Sequence, residues 1–68
     1  MTADRVRTLL LRGDNLLKSA RPERFGRALE AFEEARVAAQ DDDVAPEVRE
    51  LVERRIDALR QLMEGASS

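Results

Sequence analysis

The stretch FGRALEAFEEARVAA, residues 25–39, decides the fold of this chain. Its apolar residues recur every three or four positions, which is the period of an α-helix and not of a β-strand. The main members of this set are Phe25, Ala28, Leu29, Phe32, Ala35 and Ala39. Ala31 and Ala38 widen the apolar arc to about 180° at 100° per residue. A helix that is apolar over half of its circumference needs neighbours on two sides, so we predict that this helix is central.

A second amphipathic segment precedes this helix and is predicted to be helical from about Ala3 to Ser19. Its apolar face spans an arc of about 120°, which is typical of a helix that packs on one side only. The residues in this arc are Val6, Leu9, Leu10, Gly13, Leu16, Leu17 and Ala20. A glycine among large apolar residues allows a close approach between two helices, so we expect Gly13 to face the central helix. Leu11 lies outside the arc.

The ends of the central helix are predicted from proline and aspartate. Pro22 is tolerated in the first turn of a helix, so the helix is expected to begin near it and to end at Gln40 to Asp42. Asp43 is expected to cap the third helix, with Pro46 in its first turn. Because the loops are short, consecutive helices are expected to pack antiparallel.

The third helix is predicted to run to about Met63 and to end before Gly65. Residues 1–64 then form one three-helix domain, and residues 65–68 a flexible tail. The core-facing stripe of this helix is assigned to Val48, Leu51, Val52, Leu59 and Leu62. Ile56 and Met63 widen the apolar arc to about 160°, which is more than an outer helix needs. Arg55 falls near the middle of the arc.

Composition excludes several kinds of function. The 68 residues contain no cysteine and no histidine, so the commonest metal ligands and the commonest general base are missing. Twelve basic and fourteen acidic residues give a formal net charge of −2, which disfavours a nucleic-acid-binding protein. No apolar segment is long enough to be a signal peptide or to span a membrane. We therefore expect a cytoplasmic protein that is not an enzyme, has no cofactor or metal, and binds neither nucleic acid nor membrane.

Two short motifs are interpreted as structural. Arg12-Gly13-Asp14 spells the integrin-recognition tripeptide, but Gly13 belongs to the apolar face of a helix and not to an exposed loop. Asp41-Asp42-Asp43 is acidic enough for a hard cation, but the glycine and glutamate of a calcium-binding EF-hand loop are missing at the required spacing. The three aspartates are interpreted as a helix cap and a solvated turn.

From Leu9 to Ala39 the chain resembles a tetratricopeptide repeat. In that family a small residue midway along the first helix, here Gly13, admits the second helix, which carries an alanine–aromatic–alanine run, here Ala28, Phe32 and Ala35. The resemblance implies one repeat followed by a third helix, which is either a C-terminal capping helix or the first helix of a following repeat. The connection at residues 19–24 is longer than in that family, and a closing proline is missing unless Pro46 replaces it.

A second family fits the length of the chain better. The segment Arg27 to Phe32 and the long third helix are similar to microtubule-interacting-and-transport domains, which are three-helix bundles. Both resemblances imply the same order of helices and differ in packing angle and groove.

The sequence predicts an all-α, three-helix antiparallel bundle that acts as a small protein-interaction module, or adaptor, for a partner helix or peptide. The alternative is a structural homo-oligomer assembled through the third helix. The expected association surface on the third helix consists of Val52, Arg55, Ile56, Leu59 and Met63. For Arg55 alone the other interpretation is a stem packed on apolar neighbours with its charge on water or on an acidic residue. A second candidate surface on the first helix consists of Arg7, Leu11, Asp14 and Lys18.

Overall fold

The chain folds into three α-helices, seen in a computed structural model that describes residues 2–67. Helix α1 is Thr2–Leu17, α2 is Arg24–Ala38 and α3 is Pro46–Ser67. No strand occurs in the described part of the chain. The predicted all-α class and the order of the three helices are confirmed.

Helix α2 is central, as the width of its apolar arc predicts, and packs against both α1 and α3. The Thr2 hydroxyl donates a hydrogen bond of 3.4 Å to Asp41, so the start of α1 lies beside the end of α2. Arg60 on α3 reaches Glu33 near the middle of α2, with 3.3 Å between Nη2 and Oε1. The hairpin of α1 and α2 is therefore antiparallel, and α3 returns along the other side of α2.

One continuous core holds the helices together. Its largest fully buried side chains are Val6, Phe32, Val44, Val52, Ile56 and Leu59. Gly13 is buried beneath the ring of Phe32, because a Cβ atom placed on Gly13 would lie only 2.7 Å from Phe32 Cδ1. The predicted close contact between α1 and α2 at Gly13 is confirmed.

The predicted start of α2 is wrong by two residues. Pro22 lies in a turn before the helix, in which the Arg24 N–H donates to the Arg21 carbonyl oxygen at 3.2 Å. Proline favours the second position of such a turn because its φ angle is already correct. The Ser19 hydroxyl accepts the Arg21 N–H at 3.2 Å and stabilises the same turn. The extra residues of the connection are therefore used in a turn of their own.

The predicted cap of α3 is also wrong. The N–H of Asp43 donates to the Asp41 carboxylate at 2.9 Å, so the aspartates form a turn before the helix. Val44 follows this turn and is buried in the core, and the Ala45 carbonyl oxygen accepts the first helical N–H groups. Pro46 is the first residue of α3, in agreement with the prediction.

The predicted end of α3 before Gly65 is wrong, because the helix continues to Ser67. Gly65 does not adopt the left-handed conformation with which glycine commonly ends a helix, since no described glycine has a positive φ angle. The predicted C-terminal tail is helical over residues 65–67, and Ser68 lies outside the described residues.

Candidate interaction face

The apolar arc of α3 divides into two seams with the same spacing of four, three and four residues. The inner seam consists of Val52, Ile56, Leu59 and Met63. The outer seam consists of Leu51, Arg55, Ala58 and Leu62. Each outer-seam residue immediately precedes an inner-seam residue, so at 100° per residue the two seams lie side by side along the helix.

The inner seam is part of the core. Val52, Ile56 and Leu59 are at most 1% exposed, and Met63 is half-buried against the same cluster. The prediction that these residues form an association surface is therefore wrong for Val52, Ile56 and Leu59, because the domain already buries them against its own helices. Only the exposed part of the Met63 side chain is available for association.

The outer seam is exposed. Leu51 and Leu62 are 43% and 55% exposed, although the apolar pattern assigned both to the core. The inner seam has four large apolar side chains, whereas the outer seam has two leucines, one alanine and one arginine. Burying the inner seam therefore removes more apolar surface from water and leaves Arg55 at the boundary. This difference in apolar volume is a signal from which the exposed leucines could have been identified.

Arg55 and Asp14, which belong to two different predicted surfaces, are brought together by the fold. Nη1 of Arg55 donates to Oδ1 of Asp14 at 3.1 Å, which joins α3 to α1. The side chains remain 45% and 26% exposed, so the pair lies at the surface and not in the core. The alternative interpretation of Arg55, a charge directed at an acidic residue of another helix, is confirmed.

Leu11, Arg7 and Lys18 lie on the α1 side of this ion pair and are all exposed. On the helical wheel of α1 they lie within about 60° of Asp14, on its solvent side. Leu11 is 58% exposed. These residues, the outer seam of α3 and the Asp14–Arg55 pair that joins the two helices are named the α1–α3 face. Of the four large exposed hydrophobic residues in the described part of the chain, three belong to this face.

The remaining surfaces differ in how much charge they carry. A depression beside Leu11 on α1 is lined by Thr8, Arg12, Asn15, Leu16 and Ser19. Val37 on α2, the fourth large exposed hydrophobic residue in the described part of the chain, is 67% exposed and borders a shallow depression lined by Arg5, Glu33, Glu34 and Ala38. A groove of about 270 Å³ between α1 and α2 is lined mainly by charged side chains, with Leu16 and Ala31 as its apolar part. The solvent side of α3 carries acidic and basic residues along its length. Among the described residues, the α1–α3 face therefore carries most of the large exposed hydrophobic side chains.

No constellation for chemistry accompanies these surfaces in the described residues. No buried side-chain nitrogen or oxygen lacks a hydrogen-bond partner, and no three carboxylates converge to hold a metal ion within residues 2–67. In the same part of the chain, no helix is both long enough and apolar enough to cross a membrane. No protein-family model, curated protein or solved structure matches the chain.

Proposed function

We propose that this domain is a small, non-catalytic protein-interaction module that binds a partner helix or peptide on its α1–α3 face. The observation that carries this proposal is the exposed outer seam of α3, in which Leu51 and Leu62 flank the Asp14–Arg55 pair. Helices that lie in grooves are recognised through apolar anchors at this spacing, with charged groups at the edge. The tetratricopeptide-like hairpin belongs to the same proposal, and the contact between Gly13 and Phe32 supports it.

The experiment compares three forms of the tagged full-length chain expressed in its own cells. These are the wild type, the double variant Leu51→Glu/Leu62→Glu, and the control Val37→Glu. The substituted residues are all exposed in the wild type. Both variants are therefore expected to keep its helical circular dichroism spectrum. Mass spectrometry then identifies the proteins that copurify with each form.

We expect one set of copurifying proteins, or additional copies of the chain itself, to be lost with the double variant and kept with the control. Capture that is equal for all three forms would contradict an interaction through the α1–α3 face. Capture that is lost with Val37→Glu alone would place the binding surface on α2 instead.

The alternative function is a structural homo-oligomer assembled through α3. It is favoured by the same outer seam, because a helix with two apolar seams can pack on its own domain with one and on another molecule with the other. Small repeat-like domains also gain much of their stability from neighbouring units. The proposed interaction face serves both functions.

A further inference from the structure

We propose that the partner helix on the α1–α3 face is α3 of a second copy of this chain, packed antiparallel through the outer seam. This inference rests on the proposed function and assigns its partner. The first argument is the symmetry of the seam. Positions 51 and 62 are equally far from the midpoint between residues 56 and 57, and so are positions 55 and 58. An antiparallel pair centred there places Leu51 of each copy against Leu62 of the other copy.

Side-chain volume supports the same register. Arg55 comes to lie across from Ala58 of the second copy, which is the smallest residue of the seam. The space above an alanine accommodates the aliphatic stem of the arginine while its guanidinium group stays on Asp14, at 3.1 Å from the carboxylate. No described contact within the domain has to be broken for this pairing.

Charge decides between antiparallel and parallel packing. In a parallel pair Arg55 would lie directly across from Arg55 of the second copy. Like charges in such positions destabilise a helix pair. In the antiparallel pair the two copies of Arg55 are offset by three residues, or about 4.5 Å along the axis, and each stays paired with its own Asp14. Arg54, which borders the seam, comes beside the neutral side chain of Gln61 of the second copy. The antiparallel arrangement therefore places the like charges less directly against each other than the parallel one.

The size of the domain determines how far the contact must extend. The molecule measures 39 × 18 × 13 Å, and stable interfaces bury about 800 Å² of accessible surface on each partner. A stable dimer of so small a domain therefore needs contacts beyond the outer seam itself, and the α1 side of the face is the proposed source of them. Leu11, exposed on the α1 side of that face, supplies the additional apolar contact.

Because the chain has no cysteine, single cysteines report the register directly. Leu51→Cys and Leu62→Cys are made as separate proteins, mixed, and oxidised under mild conditions. In the antiparallel pair residue 51 of one chain lies beside residue 62 of the other. Like positions are eleven residues apart along the axis, or about 16 Å, far beyond the roughly 7 Å between Cα atoms that a disulfide tolerates. We therefore expect a covalent dimer in the mixture and none from either variant alone.

A non-reducing gel and intact-mass measurement identify the cross-linked species, and Asp57→Cys on the solvent side of α3 is the control. Sedimentation of the wild type at high micromolar concentration is expected to give twice the mass of the chain. Leu51→Glu/Leu62→Glu should give the mass of one chain, while Val37→Glu should retain the dimer.

Disulfide-linked dimers in the sample that contains only the Leu51→Cys variant would overturn the antiparallel arrangement. A monomeric wild type without cross-linking in the mixture would overturn self-association altogether. If Leu51→Glu/Leu62→Glu then still loses a foreign protein in the copurification experiment, the proposed interaction face stands and only its occupant is different. If copurification is also unaffected, both proposals fail.

Discussion

The ring of Phe32 occupies the space that a side chain at position 13 would need. Phe32 is 1% exposed, so the ring has little freedom to move away. Alanine at position 13 gains about 1 kcal/mol of helix propensity, but overpacking in a core costs about 1–3 kcal/mol. The contact therefore makes glycine the residue with the best fit at this position.

We predict that Gly13→Leu lowers the melting temperature sharply and that Gly13→Ala lowers it slightly. Gly26→Ala is the matched control, because nothing lies within 4 Å of a Cβ atom at this exposed position in α2. The control is expected to stabilise the domain by up to about 1 kcal/mol. Thermal unfolding followed by circular dichroism measures all three, and an unchanged melting temperature for Gly13→Leu would contradict the contact with Phe32.

Phe32 itself should be the most sensitive core position. Phe32→Ala removes a fully buried ring beside a glycine that has no side chain to fill the space, so a cavity remains. Such a change costs about 3–5 kcal/mol, which is close to the whole stability of a domain of this size. We expect a largely unfolded protein at 25 °C by circular dichroism. A cooperative transition near that of the wild type would show that the core lies elsewhere.

The Asp14–Arg55 pair is exposed enough for solvent to screen it, so its contribution to stability is small. Double-mutant cycles on exposed pairs give about 0.2–1 kcal/mol. We predict a coupling free energy in this range between Asp14→Ala and Arg55→Ala, measured by urea unfolding of the single and double variants at a concentration that keeps the chain monomeric, and we expect it to fall in high salt. A coupling of several kcal/mol, independent of salt under these conditions, would mean that the pair is buried within the single domain.

At the scale of the element, α3 has two neighbouring seams in different environments. The inner seam packs in the core, where α3 lies against α2, and the outer seam is exposed. Substitution of neighbouring residues should therefore change the free energy of unfolding by very different amounts, although both residues are apolar and both lie in the same arc.

We predict that Ile56→Glu unfolds the domain, because it places a carboxylate at a position that is 1% exposed. Leu62→Glu should change the free energy of unfolding by no more than about 0.5 kcal/mol when it is measured at a concentration that keeps the chain monomeric. Chemical denaturation followed by circular dichroism compares the two variants. Equal effects would mean that the two seams are not distinguished by burial.

At the scale of the whole molecule, the domain is a central helix covered on two sides, with one long face left partly apolar. Its charges nearly cancel, with a formal net charge of −2, so net charge supplies little long-range electrostatic attraction. The proposed recognition depends instead on the few exposed leucines of the α1–α3 face and on the arginines that border them. A face of this kind suits a helix, and the symmetry of the outer seam suits a second copy.

The apolar period by itself determined that three helices form and that α2 lies between the other two. It also placed Gly13 on the side of α1 that meets α2. These properties were predictable because they depend on spacings of three and four residues within one segment. Local propensities were less informative at the ends of the helices. Pro22 and Asp43 are used in turns, and Gly65 continues a helix, because neighbouring hydrogen bonds and the burial of Val44 outweigh the preference of a single residue.

The difference in apolar volume between the two seams of α3 favours burial of the inner one, but the tertiary structure decided which flank is buried. A helical wheel shows how wide an apolar arc is, but the rotation of the helix about its axis depends on the surfaces that α1 and α2 offer to it. The buried volume of Val52, Ile56 and Leu59, with the pairs Asp14–Arg55 and Glu33–Arg60 at the two edges, determines that rotation. The predicted association surface was Val52, Arg55, Ile56, Leu59 and Met63. The proposed surface keeps Arg55 and otherwise lies one residue earlier along the chain, at Leu51 and Leu62, because a shift of one residue turns a helix by 100°.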